Sequence, residues 1–164
     1  MILPRTRPLF VALFLTMAVL ATRPAPGIAQ YRYGISIGGA ASLSLIVERR
    51  WEHQGLEVQL GTWGFRDLGV TVSGKQYIGS SDVQPFVGVG LWGLVAFAEE
   101  GTGFGLIARA PIGLDWNISG DHSAALTVFV NRALALKRPD PADDRPPRAA
   151  LIPLPEFSYR WLNR

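Results

Sequence analysis

The stretch FGLIARAPIGLDWNI, residues 104–118, places an apolar side chain at every even position: Phe104, Leu106, Ala108, Ala110, Ile112, Leu114, Trp116 and Ile118. The odd positions read Gly105, Ile107, Arg109, Pro111, Gly113, Asp115 and Asn117. Successive side chains of a β-strand point to opposite faces, so this run is a strand with one greasy face and one small or polar face.

The same period of two extends outward in both directions. Ala41–Trp51 sets Leu43, Leu45 and Val47 against Ser42, Ser44, Glu48 and Arg50. Residues 55–64 set Leu56, Val58 and Leu60 against Glu57, Gln59 and Trp63. In residues 68–78 the apolar row is Leu68, Val70, Val72 and Ile78, and the polar row is Thr71, Ser73, Lys75 and Tyr77. Residues 84–98 oppose Val87, Val89, Leu91, Val95 and Phe97 to Gly88, Gly90 and Trp92. Further strands are expected over residues 31–38 and 122–136 and from about residue 155 to 162, for eight in all. Short links rich in turn formers, such as Gly39-Ala40 and Ser119-Gly120-Asp121, force neighbouring strands to run antiparallel. Only residues 137–148 (KRPDPADDRPPR) make a long connection, a solvated loop by their proline and charge content.

Ahead of the first strand stand two arginines, Arg5 and Arg7, an apolar core over residues 8–21, and small residues at Gly27 and Ala29. That order is the layout of an export signal, expected to be cleaved after Ala29 and too short for a retained membrane-spanning helix. Residues 1–29 are therefore read as a signal peptide and residues 30–164 as one barrel domain. Three of the chain's 16 Lys and Arg lie in the leader, and the remaining 13 equal the 13 Asp and Glu. A mature chain without net charge or a cluster of bases lacks the face that neutralises phosphates, which excludes nucleic acid as a partner. Cysteine is absent, which excludes disulfides, thiolate metal sites and a lipid anchor on cysteine.

Alternation alone leaves two orientations. A soluble exported barrel would turn the apolar row inward around a hydrophobic ligand; a membrane barrel would turn it outward. The second row favours the latter. It is dominated by Gly, Ser and Thr, with five bases and four acids: Arg32, Glu48, Arg50, Glu57, Lys75, Arg109, Asp115, Glu156 and Arg160. A nearly balanced set suits a crowded interior, where isolated charges are costly to desolvate. The rings agree with this choice. With both termini at one end, Tyr31, Tyr33, Trp51, Trp116, Tyr159 and Trp161 gather there on the apolar parity, and Phe97 and Phe104 gather at the other end. Amphipathic rings favour the two interfaces of a bilayer.

An export signal followed by eight amphipathic strands resembles the small outer-membrane β-barrel proteins of bacteria with two membranes. The resemblance implies an eight-stranded antiparallel up-and-down transmembrane barrel in contact with outer-membrane lipid and the barrel-assembly machinery. It further implies a structural or surface-interaction role towards an extracellular partner. Family members often end on an aromatic residue, whereas here Leu162, Asn163 and Arg164 follow Trp161.

Four residues strain the pattern. Pro111 lacks a backbone donor, so a bulge is expected there. Arg132 shares the apolar parity of Val128 and Val130, which requires either a place near the rim or a register shift before it. Pro153 and Pro155 are expected to confine the last strand to its final part and lengthen the loop before it. No catalysis and no cofactor are expected. His122 and Ser123 are adjacent, so their side chains diverge on a strand. The four acids are expected to pair with Arg50, Lys75, Arg109 and Arg160 rather than act in hydrolysis, and residues 101–105 (GTGFG) precede a strand and not a phosphate-binding helix.

Overall fold

A computed structural model describes residues 29–99, 101–140 and 150–162. The expected signal peptide lies outside the described residues except for Ala29. The described residues form eight strands: β1 (Gln30–Gly38), β2 (Ala41–Trp51), β3 (Gln54–Thr62), β4 (Asp67–Tyr77), β5 (Val83–Ala98), β6 (Gly101–Ser119), β7 (His122–Lys137) and β8 (Ile152–Leu162). Each pairs antiparallel with the next, and β8 returns to β1, so the all-β sheet closes into an eight-stranded barrel.

The strands are strongly staggered. Gly38 at one end of β1 pairs with Glu156, and the path of partners runs through Thr127, Gly113 and Phe86 to Tyr77, at the opposite end of the barrel. Such tilt is what closing a sheet of eight strands demands, and it leaves an interior that side chains can fill.

The alternation resolves into an apolar exterior and a polar interior. Leu43, Leu45, Val47, Leu56, Val58 and Leu60 are exposed on the outer wall, while Ser44, Glu48, Glu57 and Gln59 on the same two strands are buried. Glycines thin the inner wall where the filling is bulky. A Cβ on Gly113 would lie 2.7 Å from the Phe86 ring, its cross-strand neighbour. At the tight β1–β2 turn, Gly38 and Gly39 adopt φ of +85° and +69°, values that other residues reach only with strain.

Several local expectations need correction. No register shift occurs at Pro111: Val87 pairs with Ile112 and Gly90 with Arg109, so the register is the same on either side, and Pro111 itself pairs with Phe129 on β7. The shifts in the β6–β7 ladder fall elsewhere, between Leu106 and Ile107 and between Asn117 and Ser119. The first leaves Leu134 as the extra residue of β7, two positions after Arg132 rather than before it. Arg132 therefore stays on the outer wall, paired with Ala108, four residues along β6 from the exposed Phe104.

The prolines of β8 do not shorten it, because the strand begins at Ile152. Pro155 accepts a hydrogen bond from Gly39 N–H at 2.8 Å, so its ring nitrogen, and that of Pro153 two residues away, faces the β1 side. Pairing of β8 with β1 ends at Gly38, and the donors that proline lacks are not required there. Trp63 is not on the polar row either: β3 stops at Thr62, and the indole N–H donates to Ala40 O at 2.8 Å from the following turn.

The packing at Gly113 makes a testable statement. G113A should destabilise the barrel by about 1–3 kcal/mol, the usual cost of overpacking. F86L should restore only the part due to the ring in the double variant, because the closer contact with the Leu126 backbone oxygen on β7 remains, as read by denaturant unfolding followed by tryptophan fluorescence.

Candidate functional site inside the barrel

All nine charged residues read from the inward row project into the lumen, but they do not form one group. Arg160, on β8, is fully buried and faces carboxylates from three other strands: Glu57 Oε2 at 2.9 Å, Asp115 Oδ2 at 3.7 Å and Glu48 Oε2 at 3.9 Å. Lys75 Nζ lies 2.5 Å from the same Glu57 oxygen. Asp115 also receives Arg32 at 2.9 Å and Arg50 at 3.2 Å. Gln59 joins Glu156 to this network, its amide nitrogen donating to Glu57 Oε1 at 3.1 Å and Glu156 Oε1 at 3.0 Å. Eight of the nine charges are thus knitted across six strands.

The parity of the alternation also marks residues that composition alone did not single out. Tyr77 donates its hydroxyl to Glu48 and lies under the Arg50 guanidinium, whose carbon is 3.8 Å from the ring centroid. Arg50 in turn donates to Gln84. Lys75 sits 4.9 Å from the centre of the Phe86 ring. These rings face inward on the polar row, where they cover buried cations and contribute cation–π attraction to a desolvated network.

Arg109 stands apart, nearer the loop end. Its Nη1 donates to Thr71 Oγ1 at 2.9 Å, and its guanidinium carbon lies 3.6 Å from the Phe129 ring centroid and 5.7 Å from that of Trp92. It has no ion pair among the described residues. Beyond it the lumen changes character, since Ala40, Trp92 and Ile107 form a buried apolar cluster against Leu94 and Leu154.

The rings expected at the two ends occupy outward positions. Tyr31, Trp116 and Trp161 are exposed and Tyr33, Trp51 and Tyr159 half-buried at the end holding the described termini; Phe97 and Phe104 are exposed at the other. Trp63 and Phe65, the latter 89 % exposed, add two rings in the β3–β4 turn. Arg49 also faces outward, 5.9 Å from the Tyr31 centroid and 5.8 Å from that of Trp51. His122 and Ser123 sit on opposite sides of the wall: His122 Nδ1 shares a 2.7 Å hydrogen bond with the Tyr159 hydroxyl, whereas Ser123 is buried and accepts from Arg32 at 3.4 Å.

The fold and lumen together define a closed antiparallel barrel of eight strands with an ionic core and an apolar wall. Compared with protein-family models, curated proteins and solved structures, the chain matches none.

The network has a measurable hub in Glu57. E57Q removes the charge shared by Lys75 and Arg160, and should cost about 3–5 kcal/mol because it leaves buried cations short of compensation. Adding K75M should recover at least about 1 kcal/mol relative to the sum of the single changes. Denaturant unfolding of the four-member mutant cycle reads both values.

Proposed function

We propose that the chain is an outer-membrane β-barrel, exported by its N-terminal signal and embedded in lipid, with a structural or surface-interaction role and no catalysis. The observation that carries this reading is the orientation of the two rows. Leu45 is 61 % exposed and Val72 38 %, while Arg160 and Glu57 are wholly enclosed. Soluble monomers seldom expose contiguous apolar patches beyond a few hundred Å². Each Val, Leu or Ile moved from water into hydrocarbon contributes about 1.5–3 kcal/mol, so the bare wall favours a bilayer.

Four further features support the same reading. Closure leaves the wall almost without unpaired backbone, as hydrocarbon requires. Rings collect at both ends of the outer surface, where the two interfaces of a bilayer would lie. The outward arginines Arg49 and Arg132 lie near opposite ends, so their side chains can reach headgroups. Strands of 9 to 19 residues are long enough to cross at a tilt. In this reading the barrel-assembly machinery and outer-membrane lipid are the partners during insertion, and residues 137–148 offer a contact outside the cell. A lumen packed with ion pairs opposes a diffusion pore.

A soluble exported barrel is the competing class, and one pair of substitutions separates them. V72R, in the middle of the outer face of β4, should cost about 2–4 kcal/mol in phosphatidylcholine vesicles, whereas Q76R, on the same face near the strand end, should cost at most about 1 kcal/mol. Equal small effects, or release of tagged protein into a detergent-free periplasmic extract, would overturn the membrane reading.

A further inference from the structure

We propose that Arg49, set between the rings of Tyr31 and Trp51 on the outer wall, binds the phosphate of an anionic phospholipid. The inference rests on the membrane reading and adds to it one class of lipid and one place on the barrel.

The first support is the sorting of charge. The lumen takes five bases and four acids, whereas the charged side chains that the described strands turn outward are Arg49, Arg132 and Lys137, paired with Tyr31, Ala108 and Phe104. No carboxylate of those strands stands with them. A wall in water gains nothing by excluding one sign of charge. A wall that meets anionic headgroups does, because each base there is attracted and each acid repelled.

The second is the level of Arg49 on the wall. One step towards the middle of the barrel, the outward row across β1 to β4 is Tyr33, Val47, Val58 and Val72. Its own row is Tyr31, Arg49, Leu56 and Gly74, and one step towards the described termini stand Trp51, Gln54 and Gln76. Arg49 thus marks the change from an apolar surface to one bearing amides, the depth at which lipid phosphates lie. A Cβ on Gly74 would meet nothing within 4 Å, so the wall stays open beside Leu56, where an acyl chain can lie close to the backbone.

The third is the geometry of the guanidinium. Its carbon is 5.9 Å from the Tyr31 centroid and 5.8 Å from that of Trp51. Among the described residues Arg49 has no ion pair, and Glu52 in the turn beyond Trp51 supplies none. The two rings hold the cation by its attraction to their faces without neutralising it, so its N–H fork is left for an anion. Trp51 donates its indole N–H to Gln54 Oε1 at 2.9 Å, which leaves the Gln54 amide nitrogen as a further donor on the same rim. A phosphodiester accepts such donors and carries the single negative charge that one base balances. The ring faces that would attract a choline ammonium already meet the guanidinium, so phosphatidylglycerol fits this place better than phosphatidylcholine.

The test first floats the full chain with phosphatidylcholine vesicles in a density gradient. It then places the protein in phosphatidylcholine nanodiscs and raises the phosphatidylglycerol fraction, following the Arg49 Nε–H and the Trp51 indole N–H in nitrogen-15 correlation spectra. Both signals should move saturably, half-way at about one-sixth phosphatidylglycerol, a fivefold preference on the scale of one base at an anionic surface. The Trp92 indole, inside the lumen, should not move. R49Q should abolish the saturable Trp51 response, R49K should retain it at a preference of at least about twofold, and R132Q should leave it unchanged. A chain that does not float overturns the membrane reading and this proposal together. A chain that floats but shows no saturable response, or an R49Q variant that keeps the wild-type Trp51 curve, overturns this proposal alone.

Discussion

Arg160 is the point on which the interior turns. From the last strand it reaches carboxylates on β2, β3 and β6, and its side chain has no contact with solvent. A charge this deeply enclosed is stable only when it is compensated on several sides. Its position therefore constrains the stagger of the sheet, since a two-residue slip of β8 would move the guanidinium by more than 6 Å along the strand. Arg32 and Arg50 then converge on Asp115, and Lys75 on Glu57, from strands that the same stagger brings to one level. The network acts on register as much as on stability. An apolar interior of equal volume would tolerate many alignments, and this one rejects those that leave a carboxylate unpaired.

The division of the wall into two faces was legible because a strand has a period of two and tolerates no ambiguity of side. Residues such as Glu57, Arg109 and Arg160 could be assigned to the lumen from parity alone. Height could not be read in this way. Which inward residues meet depends on the tilt of the closed sheet, a property of all eight strands together, so nothing local distinguished Arg109 from the other bases. Parity also placed Tyr77 inward without revealing that it bonds Glu48.

Proline misled for a related reason. A missing N–H matters only if the neighbouring strand presents an acceptor, and sequence does not say on which side a neighbour ends. In β8 the two prolines face the side where β1 has given way to its turn, so the strand continues through them. Pro111 turns inward on a strand whose alignment on both sides persists across it. Trp63 failed for a simpler reason. Its parity fitted a longer β3, but a hydrogen bond from Trp63 N–H to Asp67 Oδ1 at 2.7 Å begins the turn one residue after Thr62.

The interior is built in two halves that cannot exchange roles. Towards the termini, ion pairs and the rings over them fill the space, and a solute crossing there would have to break several buried contacts at once. Towards the loops, the lining becomes Trp92, Ile107 and Leu94, and the strands bearing it outgrow their neighbours. Arg109 at the boundary is held by Thr71 and by the faces of Phe129 and Trp92 rather than by a direct ion pair. Side chains pack both halves, and among the described residues Arg109, the lumenal base outside the ion-pair network, stands where the two meet.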